Sequence, residues 1–111
     1  MIEVRFEEDG GKLLLQMQGH ANYAPEGADV VCAAASMLAY TAAQTMSYLG
    51  SLDKLEEAPE ICLEKGNVRI CVCPREEAYW EAMYAFFVCQ VGFDLLAKAY
   101  PRHVQMVQML G

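Results

Sequence analysis

The chain has 111 residues, 55% hydrophobic and 21% charged, with a formal net charge of −7. That length supports one domain over residues 1–111 with no second core, and the apolar content excludes a disordered chain. The negative charge argues against duplex DNA and anionic membrane surfaces, leaving a basic partner or plain solubility as its meaning.

The opening "MIEVRFEEDGG" is charged and lacks a long apolar run, so it does not read as a secretory signal. Within it Ile2, Val4 and Phe6 alternate with polar neighbours, which is strand spacing. Asp9-Gly10-Gly11 tolerates positive φ and closes a hairpin into a second strand on Leu13, Leu15 and Met17, which runs out near Gly19-His20. Residues 21–28, with Asn22, Pro25 and Gly27, read as an irregular loop. Asp29 is a good N-cap for a helix over about 30–49, with a left-handed cap expected at Gly50. Residues 30–52 carry no charge. Their apolar part is mostly alanine, though, and Ser36, Thr41, Gln44 and Thr45 interrupt it, which fits a buried or interfacial helix rather than a membrane span.

"EAPEICLEKGNVRICVCP" then reads as two short strands around Lys65-Gly66-Asn67. Pro74 stands at or just before a second helix, with Glu76 and Glu77 in a first turn that favours acidic groups. Trp80, Met83, Tyr84, Phe87, Val91 and Leu95 recur at helical spacing, so this stripe is expected to face a core. Tyr100-Pro101 ends the helix, and "RHVQMVQML" supplies a last strand. The order β-β-α-β-β-α-β predicts an α+β domain with two helices packed on a largely antiparallel sheet.

With Asp29 as cap, Cys32 falls at the third helical position, where unpaired backbone N–H groups and the positive dipole end favour a thiolate. An ordinary cysteine has a pKa of about 8.5, so only a few per cent is thiolate at neutral pH. Bringing such a thiol to about 6 requires roughly 3.4 kcal/mol, and a helix end supplies at best about 2. A second group is needed, and the chain has two histidines, His20 and His103. His20 leaves a strand whose following loop leads straight to Cys32. If that loop folds back, the pair forms the arrangement of a cysteine hydrolase. A thiolate would attack, an imidazole would protonate the leaving amine, and helix-start N–H groups would receive the oxyanion. The competing reading is a histidine that ends a strand beside an unrelated small, buried cysteine.

"GHA", a Tyr-Ala loop and then "GADVVCAAAS" resemble the signature of the ribosomal-processing cysteine proteases, the Prp family. The likeness also takes in chain length, the opening hairpin, the second helix and its terminal Tyr-Pro. It implies a cytoplasmic homodimeric cysteine endopeptidase without metal or cofactor, with Cys32 as nucleophile and His20 as base. Its implied partner is the N-terminal peptide of a large-subunit ribosomal protein, with aromatic residues before the cut and basic residues after it; no nucleic acid and no membrane are implied. Residues 21–28 would be a flap over the bound peptide, with Gly19, Asn22, Tyr23 and Gly27 shaping it. Asp29 either orients His20 or caps the helix. Ser36, one turn beyond Cys32, either lines the cleft or bonds back to the preceding turn.

The remaining cysteines read as packed, reduced thiols, since an odd total of five in a chain without an export signal suits a reducing compartment. A Gly66-Asn67 turn would place Cys62 opposite Cys71, with Cys73 on the same face as Cys71. Zinc sites usually want four ligands at other spacings, so no metal is expected there. Cys89 is expected to pack inside the second helix, and His103 to be structural or exposed. The aromatic run Tyr79, Trp80, Tyr84, Phe86 and Phe87 lacks interleaved basic residues, so it reads as core and dimer interface rather than a nucleic-acid platform. Two other functions compete: a non-catalytic ribosome-associated binding module of the same fold, and thiol redox or acyl-transfer chemistry at Cys32.

Overall fold

The computed structural model describes residues 1–111. Strands β1 (Ile2–Asp9) and β2 (Lys12–Gln18) precede helix α1 (Val30–Ser51). Strands β3 (Glu60–Glu64) and β4 (Asn67–Val72) lead through a 3-10 turn (Glu76–Ala78) into α2 (Tyr79–Ala99), and β5 (Val104–Gln108) closes the chain. This is the order the sequence predicts. The five strands lie in the order β3-β4-β2-β1-β5. All neighbours are antiparallel except β1 and β5, which run parallel because α2 carries the chain across the sheet before β5 returns.

Period-two alternation decides which face of the sheet is covered. Ile2, Val4 and Phe6 on β1, Leu13, Leu15 and Met17 on β2, and Val68, Ile70 and Val72 on β4 are all buried on one side. Both helices pack over that side. Phe6 meets the rings of Phe86 and Phe93 edge-on, at centroid distances of 6.1 and 6.0 Å. Burying a side chain of this kind stabilises the fold by roughly 1.5–3 kcal/mol relative to leaving it exposed. The alanine-rich composition of α1 now has its reason: Ala35, Ala39, Ala42 and Ala43 lie on its buried face. Leu38 from α1 sits directly over Gly92 of α2, where an added Cβ would come within 2.6 Å of the leucine Cδ2.

Four details differ from expectation. Helix α1 does not stop at Gly50; it runs to Ser51, and Asp53 (φ 58) takes the left-handed position. Lys54 N–H bonds to Leu49 O and Asp53 N–H to Gly50 O, a Schellman ending, while Gly50 leaves room for Pro59 and Leu55. Pro74 pairs with Leu55 in a bridge, and α2 proper begins only at Tyr79, after Glu76 and Glu77 have formed the 3-10 turn. The hairpin turn is Lys65-Gly66, with Glu64 opposite Asn67, so Cys62 faces Arg69 and Cys71 faces Glu60. A shift of two residues keeps every side chain on its face but changes each partner.

The fourth difference is the largest. The α2 residues buried against the sheet are Ala82, Phe86, Cys89, Gln90 and Phe93. Trp80, Tyr84, Phe87, Val91 and Leu95 are exposed instead, together with Val88. Helix α2 is apolar around most of its circumference, so periodicity alone does not say which stripe turns inward. Residues Glu76–Ala99 are long and apolar enough to cross a membrane by length and composition only, a property that helices packed on a protein core share.

Candidate active site

Strand β2 ends at Gln18, and Gly19 then turns with φ 95. Any side chain at that position would collide with the Met1 carbonyl, and the Gly19 N–H donates to Gly66 O at 2.9 Å. The exit of β2 is thereby tied to the β3–β4 turn. His20 follows at once, and its ring lies over the Gly66 backbone. A Cβ built on Gly66 would be 2.7 Å from Nε2 and 2.8 Å from Cε1, and Gly66 has φ +75. Glycine is required there both for the turn and for the ring above it.

Cys32 approaches from the other wall. Asp29 caps α1 with Oδ1, which accepts from Val31 N–H at 3.0 Å and Cys32 N–H at 2.9 Å. Its Oδ2 accepts from Tyr23 N–H at 3.0 Å and Ala24 N–H at 3.3 Å. The carboxylate therefore joins the helix start to the loop, and none of its hydrogen bonds reaches His20. These N–H groups, that of Cys32 foremost, hold the Asp29 carboxyl below the ordinary aspartate range against a smaller opposing effect of desolvation. The same bonds have a chemical consequence. Ala33 N–H bonds to Asp29 O, so the amides of residues 31, 32 and 33, expected to receive an oxyanion, are already engaged. Instead the Ala21 N–H is aimed at the nucleophile position, donating to Cys32 Sγ at 3.4 Å.

His20 and Cys32 line one cleft of about 830 Å³, together with Asp29, Ser36, Gly19, Asn22 and Gly27. A volume of this size suits a short extended peptide segment. Ser36 faces the cleft and makes no hydrogen bond to the preceding turn, unlike Thr41 and Thr45 further along the helix. Tyr23 points away from the cleft, its ring meeting Tyr100 and His103 edge-on, each at 5.3 Å. No hydrogen bond joins His20 to Cys32; the imidazole is exposed over Gly66 while the thiol is half-buried. Cys89, in contrast, is buried in the core, where desolvation pushes its thiol up and keeps it protonated at neutral pH. Cys62, Cys71 and Cys73 are half-buried free thiols away from the cleft.

Tyr40, Glu26, Glu64, Lys65 and Gly66 also line the cleft. An ion pair between Glu26 and Lys65 straps the loop to the β3–β4 turn. Sequence reasoning did not place these residues at the site. The one local signal was the Lys-Gly-Asn turn, and only the antiparallel pairing of β2 with β4 brings that turn beside His20.

A comparison with curated protein sequences finds no match. Among solved structures, the chain is similar to an essential ribosomal processing protease Prp from S. aureus in complex with a covalently linked product peptide. The TM-score is 0.77 at 23% identity, covering 98% of this chain and 100% of that one. The same S. aureus protease in complex with a substrate peptide gives a TM-score of 0.66 at 22% identity, again over 98% and 100% of the chains. SMU.848 from Streptococcus mutans gives 0.65 at 23% identity, over 98% of this chain and 94% of that one. These likenesses show a shared fold. The family model described as cysteine protease Prp matches residues 1–105, and the chain belongs to that family.

Proposed function

We propose that the chain is a cysteine endopeptidase that removes a short N-terminal extension from a large-subunit ribosomal protein, with Cys32 as nucleophile and His20 as base. The observation that carries this reading is the meeting of both side chains on one cleft, in a chain of the Prp protease family. The Cys32 thiolate attacks the scissile carbonyl, and the tetrahedral adduct collapses as the His20 imidazolium gives its proton to the leaving amine. Water, deprotonated by the same imidazole, then hydrolyses the acyl-enzyme and restores the thiol. The ring works from its place over Gly66 at one wall of the cleft, and its hydrogen bond to the sulfur forms in the substrate complex, where catalytic hydrogen bonds often tighten. The Ala21 N–H, already directed at the sulfur, is the amide placed to stabilise negative charge at the reacting centre.

The S. aureus proteases with substrate and product peptides support the choice of peptide substrate. Glu26 and Glu64 on the cleft and a net charge of −7 suit basic residues after the cut. Residues 21–28 act as the flap, released when the Glu26–Lys65 ion pair opens. The exposed α2 stripe of Trp80, Tyr84, Phe87, Val91 and Leu95 supports a homodimer through that face. Five free cysteines suit the cytoplasm, and the thiol–imidazole mechanism needs no metal or cofactor.

The test is incubation with the ribosomal protein's N-terminal peptide, comparing the parent with Cys32→Ala and His20→Ala. The parent cleaves and both variants lose activity. Cleavage that survives Cys32→Ala removes the nucleophile assignment. Binding without cleavage by the parent favours the non-catalytic module, and action on thioesters or disulfides alone favours thiol-transfer chemistry.

A further inference from the structure

We propose that His103 is a positioning residue for this site, holding the first flap residue and, through it, the amide that faces the nucleophile. The inference rests on the reading of Cys32 as the reactive thiol.

Ala21 is buried, 1% exposed, although both of its chain neighbours, His20 and Asn22, are exposed. Both of its backbone polar groups are engaged, and by parts of the chain far apart in sequence. Its N–H donates to Cys32 Sγ at 3.4 Å, and its carbonyl accepts from His103 Nδ1 at 2.8 Å. A carbonyl can only accept, so the ring must carry a proton on Nδ1. The same ring meets Tyr23 edge-on at 5.3 Å, and Tyr23 packs on Tyr100 at the same distance. One side chain thus restrains two flap residues by separable means, a donor on Ala21 and an aromatic contact on Tyr23.

The base of this support is rigid. His103 N–H bonds to Tyr100 O at 2.9 Å at the end of α2, and Ile2 N–H bonds to His103 O at 2.8 Å at the start of β1. The ring therefore projects from a junction fixed at both ends and presses on a loop held otherwise by Asp29 and the Glu26–Lys65 pair. Loss of the Nδ1 donor frees the Ala21 peptide, and the N–H on the sulfur moves with it. His20, one residue earlier, loses the same restraint.

Three variants separate positioning from bulk. His103→Asn places an amide N–H near the Nδ1 position without the ring. His103→Phe keeps a ring against Tyr23 without the donor. His103→Gln carries an amide nearer the Nε2 position, where it misses the carbonyl. Each is followed by the iodoacetamide alkylation rate of Cys32, read from the mass of the peptide bearing it, and by kcat and KM on the ribosomal extension peptide. Thermal unfolding identifies a temperature at which all are folded.

A displacement of the sulfur's amide partner by under 1 Å is expected to slow alkylation and kcat about tenfold in the Phe and Gln variants. KM stays within about threefold of the parent, and the Asn variant within about twofold for both rates. Parent-like rates in the Phe and Gln variants would overturn the proposal, as would equal losses in all three. Because alkylation needs no substrate, a parent that cleaves no ribosomal peptide leaves the proposal to be decided by alkylation alone.

Discussion

Replacement of Gly66 by alanine tests the contact on which His20 rests. Two effects act at that position, and they separate cleanly. Gly66 has φ +75, a left-handed backbone that disfavours an L side chain by about 1–2 kcal/mol. The new methyl would also stand 2.7 Å from His20 Nε2 and 2.8 Å from Cε1, whereas ordinary contact begins at 3.4 Å. The ring must retreat by roughly 0.7 Å or turn aside, and misplacement of a catalytic group by about 1 Å can lower the rate on the order of 100-fold. Gly11 provides the control. It has φ +85 in the β1–β2 turn and nothing within 4 Å of a built Cβ, so Gly11→Ala carries the backbone strain alone. The assay is kcat/KM on a quenched-fluorescence extension peptide, run well below the melting temperature of both variants, with thermal unfolding in parallel. Both variants lose about 1–2 kcal/mol of stability, and only Gly66→Ala loses activity, by about 10- to 100-fold. Equal activity in the two variants would refute the claim that the imidazole works from its seat on Gly66.

Asp29 sets a pH limit on the flap. Its carboxyl is depressed chiefly by the Cys32 N–H, so its contribution is fully present above the ordinary aspartate value of about 3.9 and is lost as pH falls through the lowered value. The Tyr23 and Ala24 amides therefore stay protected from hydrogen exchange at pH 4 and open in stronger acid, while Asp29→Asn, with one acceptor oxygen, leaves them exchanging quickly at every pH. An acid release that is unchanged in Asp29→Asn would place the control elsewhere. The α2 face is tested by Tyr84→Glu, a residue 64% exposed in the single chain. Sedimentation velocity reports a dimer for the parent and a folded monomer for the variant, whose melting temperature falls by the lost contribution of association, and a monomeric parent would defeat the interface.

Much of the fold was legible because local chemistry agreed with the final structure. Alternation on Ile2, Val4 and Phe6 marked a half-buried strand, Asp9-Gly10-Gly11 marked its turn, and Asp29 before an uncharged run marked the start of α1. The His20 and Cys32 candidates were equally visible, since one short loop separates strand end from helix start and both side chains reach the same cleft. What remained hidden depended on groups distant along the chain. Which stripe of α2 faces the core was undecidable from a helix apolar on most sides, and packing against Phe6 selected Phe86 and Phe93 over Trp80 and Leu95. The double role of Asp29 required the loop to fold back onto its second oxygen, and the β3–β4 turn under His20 required β4 to pair with β2. The sequence determined the elements and the reactive residue types, because period, caps and turns act over a few residues. The tertiary structure alone decided the neighbours of those residues, because burial and hydrogen-bond satisfaction are settled only when distant segments compete for the same space.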